Sequence, residues 1–140
     1  MRAQPPAAYR VNAKRLKTVA EEFRLELIVL FGSYAKGRAV AGRSDVDVAV
    51  RFAPGVKRRR AVDMLDSALY DALSLKADLD LTVLNDAGAL LLFQVARTGV
   101  VLYQARPTTF SLFRLYAFQV YDDHQPFFAA RERYMKARYG

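Results

Sequence analysis

The chain has 140 residues, 53% of them apolar, so it is long enough to bury a hydrophobic core without disulfide or metal staples. It has no cysteine, which excludes a disulfide framework, a thiolate metal site and a cysteine nucleophile. The formal net charge of +8 predicts attraction to polyanions or to anionic small molecules, a class that includes nucleotides and nucleic acids. The sequence shows neither a signal-peptide pattern nor a run of about 20 apolar residues, so we expect a cytoplasmic protein without membrane contact.

Hydrophobic periodicity predicts an alternation of helices and strands. Four segments have the apolar pattern of strands: 25–31, 45–52, 78–84 and 100–103. Helical spacing is found in four others: 11–24, 62–74, about 87–97, and the region after Pro107. A turn with a short helix is expected over 32–44. The alternation predicts an α/β (α+β) fold in one domain, residues 1–140, around a sheet that is at least partly parallel.

Cap and breaker residues refine these helix boundaries. Asn85 and Asp86 offer capping oxygens for the helix over about 87–97, and Gly99 stands where that helix would end. Pro126 is expected to divide the last helical region into two helices. We therefore expect a core over about 11–104 and a helical C-terminal tail over about 107–139. Six aromatic residues of the tail are of interest, the first three expected in the core and the others in the core or on a partner surface: Phe110, Phe113, Tyr116, Phe127, Phe128 and Tyr134.

The most informative motif joins a small-residue turn to two alternating carboxylates. Gly32 and Ser33 directly follow the strand over 25–31, and Asp45 and Asp47 open the next strand. Residues two apart on a strand point to the same side of the sheet, so the two aspartates can share one or two divalent cations. Val46, Val48 and Val50 then face the other side. This pattern predicts a site for a metal-held nucleoside triphosphate.

A P-loop is excluded, although Gly32 and Gly37 have the spacing of its two glycines. That motif requires Lys and then Ser or Thr after the second glycine, to reach the phosphates and magnesium. Arg38 and Ala39 occupy those two positions.

With Gly32-Ser33, Asp45-x-Asp47 and a later Asp80, the sequence resembles the nucleotidyltransferase superfamily of the DNA polymerase beta type. The resemblance implies a polymerase-beta-type core, with a mixed sheet flanked by helices and a helical C-terminal tail. The small size, the run Ser44-Asp45-Val46-Asp47 and the segment 80–85 are similar to the minimal nucleotidyltransferases that are paired with HEPN-domain toxins. Eleven residues, Tyr34 to Ser44, separate the serine from the first aspartate, where that toxin-paired group has ten. A loop accommodates such an insertion at small entropic cost.

The resemblance implies the roles of the site residues. Asp45 and Asp47 would bridge two Mg²⁺ ions, and Asp80 would complete the ion that activates the attacking hydroxyl and would accept its proton. Asp80 is preferred to Asp78 because it matches the family's Asp-Leu-x-x-Leu pattern. Gly32 would let the backbone approach the triphosphate, whose terminal phosphates the Ser33 hydroxyl and nearby amides would hold. Three basic residues between the two halves of the motif are either phosphate ligands or ordinary surface charges: Lys36, Arg38 and Arg43.

The resemblance also implies a function, namely an antitoxin that transfers AMP from ATP to a hydroxyl, expected to be a tyrosine, of a HEPN ribonuclease toxin. The protein would bind this toxin in a hetero-oligomer. One alternative is a nucleotidyltransferase for a small molecule such as an aminoglycoside, and another is a non-catalytic module that neutralises the toxin by contact. Nucleic-acid binding through the basic surface ranks lower, because the densest cluster, 57–60, has no interleaved aromatic residues.

Overall fold

The four predicted strands form one mixed sheet. The structure, a computed structural model, describes residues 8–40 and 43–139. The strands are β1 (Leu25–Phe31), β2 (Val46–Phe52), β3 (Leu79–Val83) and β4 (Val100–Gln104), in the order β3-β2-β1-β4. β2 and β3 are parallel, whereas β1 is antiparallel to both β2 and β4. The partly parallel sheet expected from the alternation and the mixed sheet implied by the resemblance are both confirmed.

Helices flank this sheet. They are α1 (Ala13–Phe23), the short α2 (Gly32–Ala35), α3 (Arg58–Ala72), α4 (Ala89–Thr98) and α5 (Thr109–Tyr139). α1 begins at Asn12, whose side-chain oxygen accepts a hydrogen bond of 3.1 Å from the Arg15 N–H, and this satisfies one of the free amides of the first turn. The predicted turn over 32–44 contains α2. Ala41 and Gly42 of that turn lie outside the described residues.

The two faces of the sheet carry separate hydrophobic clusters. Val46, Val48 and Val50 are fully buried against the apolar stripes of α1 and α3, as the alternation in β2 predicted. On the opposite face Val29 and its neighbours pack against α4 and the first half of α5, through residues that include Phe113. Burial of each such side chain stabilises the fold by about 1.5–3 kcal/mol. Asp47 alternates with the three valines and therefore lies on the second face.

Asn85 and Asp86 do not cap α4, contrary to the sequence-based prediction. They lie in a 3₁₀ turn, and α4 begins after Gly88, which is its N-cap residue. The Asn85 side chain instead accepts a hydrogen bond from the Phe52 N–H (2.9 Å) and donates one to the Phe52 carbonyl (3.1 Å). Asp86 forms an ion pair of 2.6 Å with Arg58. Both side chains are thus used to connect the end of β3 to β2 and α3.

α4 does end at Gly99, but the reason is space and not a left-handed backbone. Gly99 has an ordinary φ of −68°. A Cβ at this position would lie 2.5 Å from Cγ1 of the buried Val29 and closer still to the Val95 carbonyl oxygen. The glycine therefore allows the chain to pass tightly from α4 into β4.

Pro126 does not divide the tail, because α5 is one helix of 31 residues with the proline inside it. A proline removes one N–H of the helical hydrogen-bond ladder and crowds one carbonyl, and the bonds on either side can hold the helix together. Aromatic packing also crosses the proline, since the rings of Tyr121 and Phe128 are 5.8 Å apart. Phe113 is buried and Phe110 half-buried as expected, whereas Tyr116 is 58% exposed and does not belong to the core.

No helix in residues 8–40 and 43–139 has the length and the apolar character needed to cross a membrane.

Candidate functional site

The Gly-Ser turn leaves the end of β1 and winds at once into α2. Gly32 has a φ of +72°, in the left-handed region that favours glycine. The turn is closed by backbone hydrogen bonds from Lys36 N–H to the Gly32 carbonyl (3.1 Å) and from Arg38 N–H to the Ser33 carbonyl (2.8 Å). Gly37, with a φ of +69°, follows α2 and turns the chain away. Ser33 is held half-buried at the start of this turn.

The sheet brings Asp47 next to this turn and opposite a second aspartate. Asp47 pairs with Phe31, the last residue of β1, and on its other side with Asp80 of β3. A Cβ on Gly32 would lie 2.9 Å from Asp47 Cγ and nearer still to Oδ2, so the glycine backbone lies directly against the carboxylate. Asp45 directly precedes β2 and is exposed. Asp78 precedes β3, where its carbonyl accepts a hydrogen bond of 2.8 Å from the Val46 N–H.

The neighbouring carboxylates Asp45 and Asp80 contribute to a raised pKa of Asp47. Burial, the neighbouring charge of Asp80, a hydrogen bond with Asp80 and the charge of Asp45 together raise the pKa of Asp47 from 3.8 to about 6. Each of these effects disfavours the ionised form of a carboxyl group. Negative charge is therefore concentrated beside Gly32, and none of the ion pairs among the described residues involves Asp45, Asp47 or Asp80.

Such a donor set is suited to a hard divalent cation. Mg²⁺ prefers oxygen ligands, and a cation between Asp47 and Asp80 would relieve the repulsion that raises the pKa of Asp47. Within the described part of the chain, no three Asp, Glu or His side chains are grouped closely enough to hold an ion as they stand. Asp47 and Asp80 lie opposite each other on β2 and β3, and the exposed Asp45 directly precedes β2.

The three basic candidates occupy different places. Lys36 and Arg38 are exposed and line a groove between the segment after α2 and the helices α4 and α5. Arg43 is exposed beside Ser44 and is not among the residues that line the groove. Arg97 of α4 lines the same groove and was missed from the sequence, because it belongs to no motif and stands more than fifty residues after the Gly-Ser turn. Its only local signal is its helical spacing from Gln94, which also lines the groove.

Comparison with known families identifies the family of the chain. The family model described as "Polymerase beta, Nucleotidyltransferase" matches residues 14–108, which is more than half of the chain. The chain belongs to the polymerase beta nucleotidyltransferase family. In this nucleotidyltransferase the matched region runs from α1 past β4 and contains the Gly-Ser turn and all three aspartates. None of the curated proteins matches the chain.

Solved structures of toxin–antitoxin complexes are similar to this nucleotidyltransferase over most of its length. A toxin–antitoxin structure with AMP-PNP is 29% identical with a TM-score of 0.69, and the match covers 91% of this chain and 98% of that chain. A mutant MntA–toxin complex, in which two aspartates two positions apart are changed to glutamate, is 27% identical with a TM-score of 0.70 and the same coverage. A tri-AMPylated Shewanella oneidensis HEPN toxin in complex with its MNT antitoxin gives 26% identity and a TM-score of 0.60, covering 89% of this chain and 93% of that chain. The fold expected from the resemblance, a polymerase-beta-type core with a helical tail, is confirmed.

Proposed function

We propose that this nucleotidyltransferase is an antitoxin that transfers AMP from ATP to a tyrosine hydroxyl of a HEPN ribonuclease toxin. The observation that carries the proposal is the contact of Gly32 with Asp47, opposite Asp80, within a fold of this family. The similarity to complexes that contain AMP-PNP and a tri-AMPylated toxin supports the choice of nucleotide and acceptor.

The proposed reaction is an in-line displacement at the α-phosphorus of ATP. The acceptor oxygen forms a bond to this phosphorus, the bond from the phosphorus to the β-phosphate oxygen breaks, and diphosphate leaves with the electron pair. Asp80 takes the proton of the acceptor hydroxyl, because it is exposed on the outer strand β3, where an acceptor can reach it. Mg²⁺ ions held by Asp45, Asp47 and Asp80 would neutralise phosphate charge and increase the acidity of the attacking hydroxyl. Ser33 and the amides of the Gly-Ser turn orient the phosphates.

The tail of the protein supports a macromolecular acceptor. After Asp122 every described residue of α5 is exposed except the half-buried Phe128. Four of these residues carry large apolar groups that are 44–71% exposed: Phe127, Tyr134, Met135 and Tyr139. Apolar groups exposed in this way on a protein surface are typical of protein interfaces. The described part of this chain contains a single sheet. A protein acceptor would contribute its own binding surface, so the chain would not need a separate acceptor-binding domain.

The test uses the purified protein, ATP labelled at the α-phosphate, Mg²⁺, and the HEPN protein encoded beside the gene. We expect label on the toxin, and a loss of at least about 100-fold in the labelling rate when Asp45 and Asp47 are both changed to Asn. Asp63→Asn, on the exposed side of α3, is the matched control for the loss of a carboxylate and should leave the rate unchanged. Absence of label, or labelling that persists in the double variant, would refute the catalytic proposal.

The same experiment separates catalysis from neutralisation by contact. Toxin ribonuclease activity is measured with the double Asn variant in place of the native protein. If transfer is required, this variant binds the toxin and leaves its ribonuclease active. Full neutralisation without label transfer would instead establish the non-catalytic binding module.

A further inference from the structure

The segment that separates the Gly-Ser turn from the aspartates is closed at its base. It runs from Tyr34 to Ser44, and the Tyr34 hydroxyl donates a hydrogen bond of 3.4 Å to the Ser44 carbonyl. Tyr34 directly follows Ser33, and Ser44 directly precedes Asp45. The first and last residues of the segment therefore contact each other and tie the two halves of the motif together.

Ser44 is also held from inside this loop. Its hydroxyl oxygen accepts a hydrogen bond of 2.8 Å from the Val40 N–H, and its own N–H donates one of 2.9 Å to the Val40 carbonyl. Ser44 is half-buried, whereas Val40 and Arg43 are exposed. Because its N–H, hydroxyl and carbonyl all have partners, an added residue elsewhere in the loop can be accommodated without moving Ser44.

Tyr34 is a firm anchor for this contact. Its half-buried ring packs against the hydrophobic cluster formed by α1, α3 and β2. It also meets the Tyr9 ring edge-on, with 6.0 Å between the ring centroids and 88° between the ring planes. Aromatic pairs in this geometry are stabilising beyond the area that they bury. The hydroxyl is thus presented to Ser44 by a side chain that has little freedom of its own.

The backbone of Asp45 is held by a hydrogen bond on either side. On its N-terminal side, the Ser44 carbonyl accepts from Tyr34. On its C-terminal side, the N–H of the buried Val46 donates to the Asp78 carbonyl at 2.8 Å. Ordering the backbone of a residue costs conformational entropy, so a backbone that is ordered in advance increases the affinity for a ligand of that residue.

We propose that Tyr34 is a positioning residue that acts through Ser44 to hold Asp45 in place for the divalent cation. Because Tyr34 is next to Ser33, the same contact also fixes Asp45 relative to the Gly-Ser turn. The closed loop explains how a spacer of eleven residues can serve the same site as one of ten. This inference rests on the proposed function.

The test measures binding of Mn²⁺, which prefers the same oxygen ligands as Mg²⁺, to the metal-free protein in the presence of AMP-PNP. Binding is detected by the increase in water proton relaxation that accompanies attachment of Mn²⁺ to a protein. We expect Tyr34→Phe, which removes only the hydroxyl, to weaken Mn²⁺ binding about threefold. Tyr9→Phe removes a hydroxyl from the other ring of the pair and should bind Mn²⁺ as the native protein does.

A double-variant cycle separates positioning from a general structural effect. In an Asp45→Asn background, Asp47 and Asp80 remain, but the carboxylate that Tyr34 positions is gone. Adding Tyr34→Phe should then weaken Mn²⁺ binding no further. Unchanged Mn²⁺ binding in Tyr34→Phe, or a loss of equal size with and without Asp45→Asn, would overturn the inference. Failure of the proposed function is distinguishable, because Mn²⁺ binding would still depend on Tyr34 in a protein that labels no toxin.

Discussion

The backbone of Gly32 lies directly against the carboxylate of Asp47. A Cβ at Gly32 would come within 2.9 Å of Asp47 Cγ, and the φ of Gly32 is +72°. Conformation and space therefore both require glycine at this position. Gly37, at the other end of the same turn, has a similar φ of +69°, but apart from its chain neighbours no atom of the described residues lies within 4 Å of its hypothetical Cβ. The two glycines separate the effect of backbone strain from the effect of displacing Asp47.

Gly32→Ala and Gly37→Ala should therefore differ. Each substitution places a side chain in the left-handed region, at a cost of about 1–2 kcal/mol in the free energy of unfolding. Only Gly32→Ala also moves the Asp47 carboxylate. A displacement of about 1 Å lowers the rate of an enzymatic transfer by about 100-fold. We expect both variants to lose free energy of unfolding, Gly37→Ala by about 1–2 kcal/mol and Gly32→Ala by at least as much. Only Gly32→Ala should lose toxin labelling. Equal labelling rates in the two variants would contradict this.

The raised pKa of Asp47 predicts a pH-dependent stability in metal-free buffer. In the folded protein Asp47 keeps its proton to about pH 6, while its ordinary value is 3.8. Between these values the folded state binds more protons than the unfolded state, so the free energy of unfolding falls as the pH rises. Solvent screening at this partly exposed group limits the effect to about 1 kcal/mol.

Asp47→Asn removes this titration, so its stability relative to the native protein should increase as the pH rises from about 4 to about 6. The measurement is urea unfolding across that range in the presence of EDTA. Asp63→Asn is again the control, and its difference from the native protein should be the same at every pH. If the difference in the free energy of unfolding between Asp47→Asn and the native protein is also independent of pH, the pKa of Asp47 is not raised in the folded protein.

Asn85 is predicted to stabilise the end of β2. Its side chain satisfies both the N–H and the carbonyl of Phe52, so Asn85→Ala leaves two partly buried backbone groups without partners. The expected cost is about 1–3 kcal/mol in the free energy of unfolding. Asn85→Asp keeps the acceptor but loses the donor and should be intermediate. An unfolding curve of Asn85→Ala that coincides with that of the native protein would show that water replaces both bonds.

Pro126 is predicted to weaken α5 locally. Pro126→Ala restores an N–H inside the helix and removes the crowding of the preceding turn, which favours the helix by about 3 kcal/mol. Because almost all residues beyond it are exposed, this should raise hydrogen-exchange protection over 127–139 and leave the global unfolding transition unchanged. Gln125→Ala, also exposed, is the neighbouring control. If hydrogen-exchange protection over 127–139 is unaltered in Pro126→Ala, the proline does not limit the stability of this part of α5.

Features encoded by local periodicity were predictable from the sequence. β1 has the predicted limits, 25–31, and the valines of β2 face the buried side as their alternation requires. Here a short-range signal is sufficient, because the pleat of a strand fixes the direction of each side chain. Pro126 and Asn85 were misjudged for the opposite reason. Packing of Tyr121 on Phe128 holds the helix across the proline, and the distant Phe52 binds the asparagine side chain.

The sequence by itself determined the Gly-Ser turn and the pair Asp45 and Asp47, since all four residues belong to adjacent local elements. It could not decide which later carboxylate meets them, and only the family pattern separated Asp80 from Asp78. The tertiary structure places Asp80 opposite Asp47 through the parallel register of β2 and β3, two strands that share a hydrophobic cluster with α3. Likewise, only the folding of α4 toward the Gly-Ser turn brings Arg97 to the groove of Lys36 and Arg38. Contacts between distant segments depend on the packing of whole elements, which no local pattern encodes.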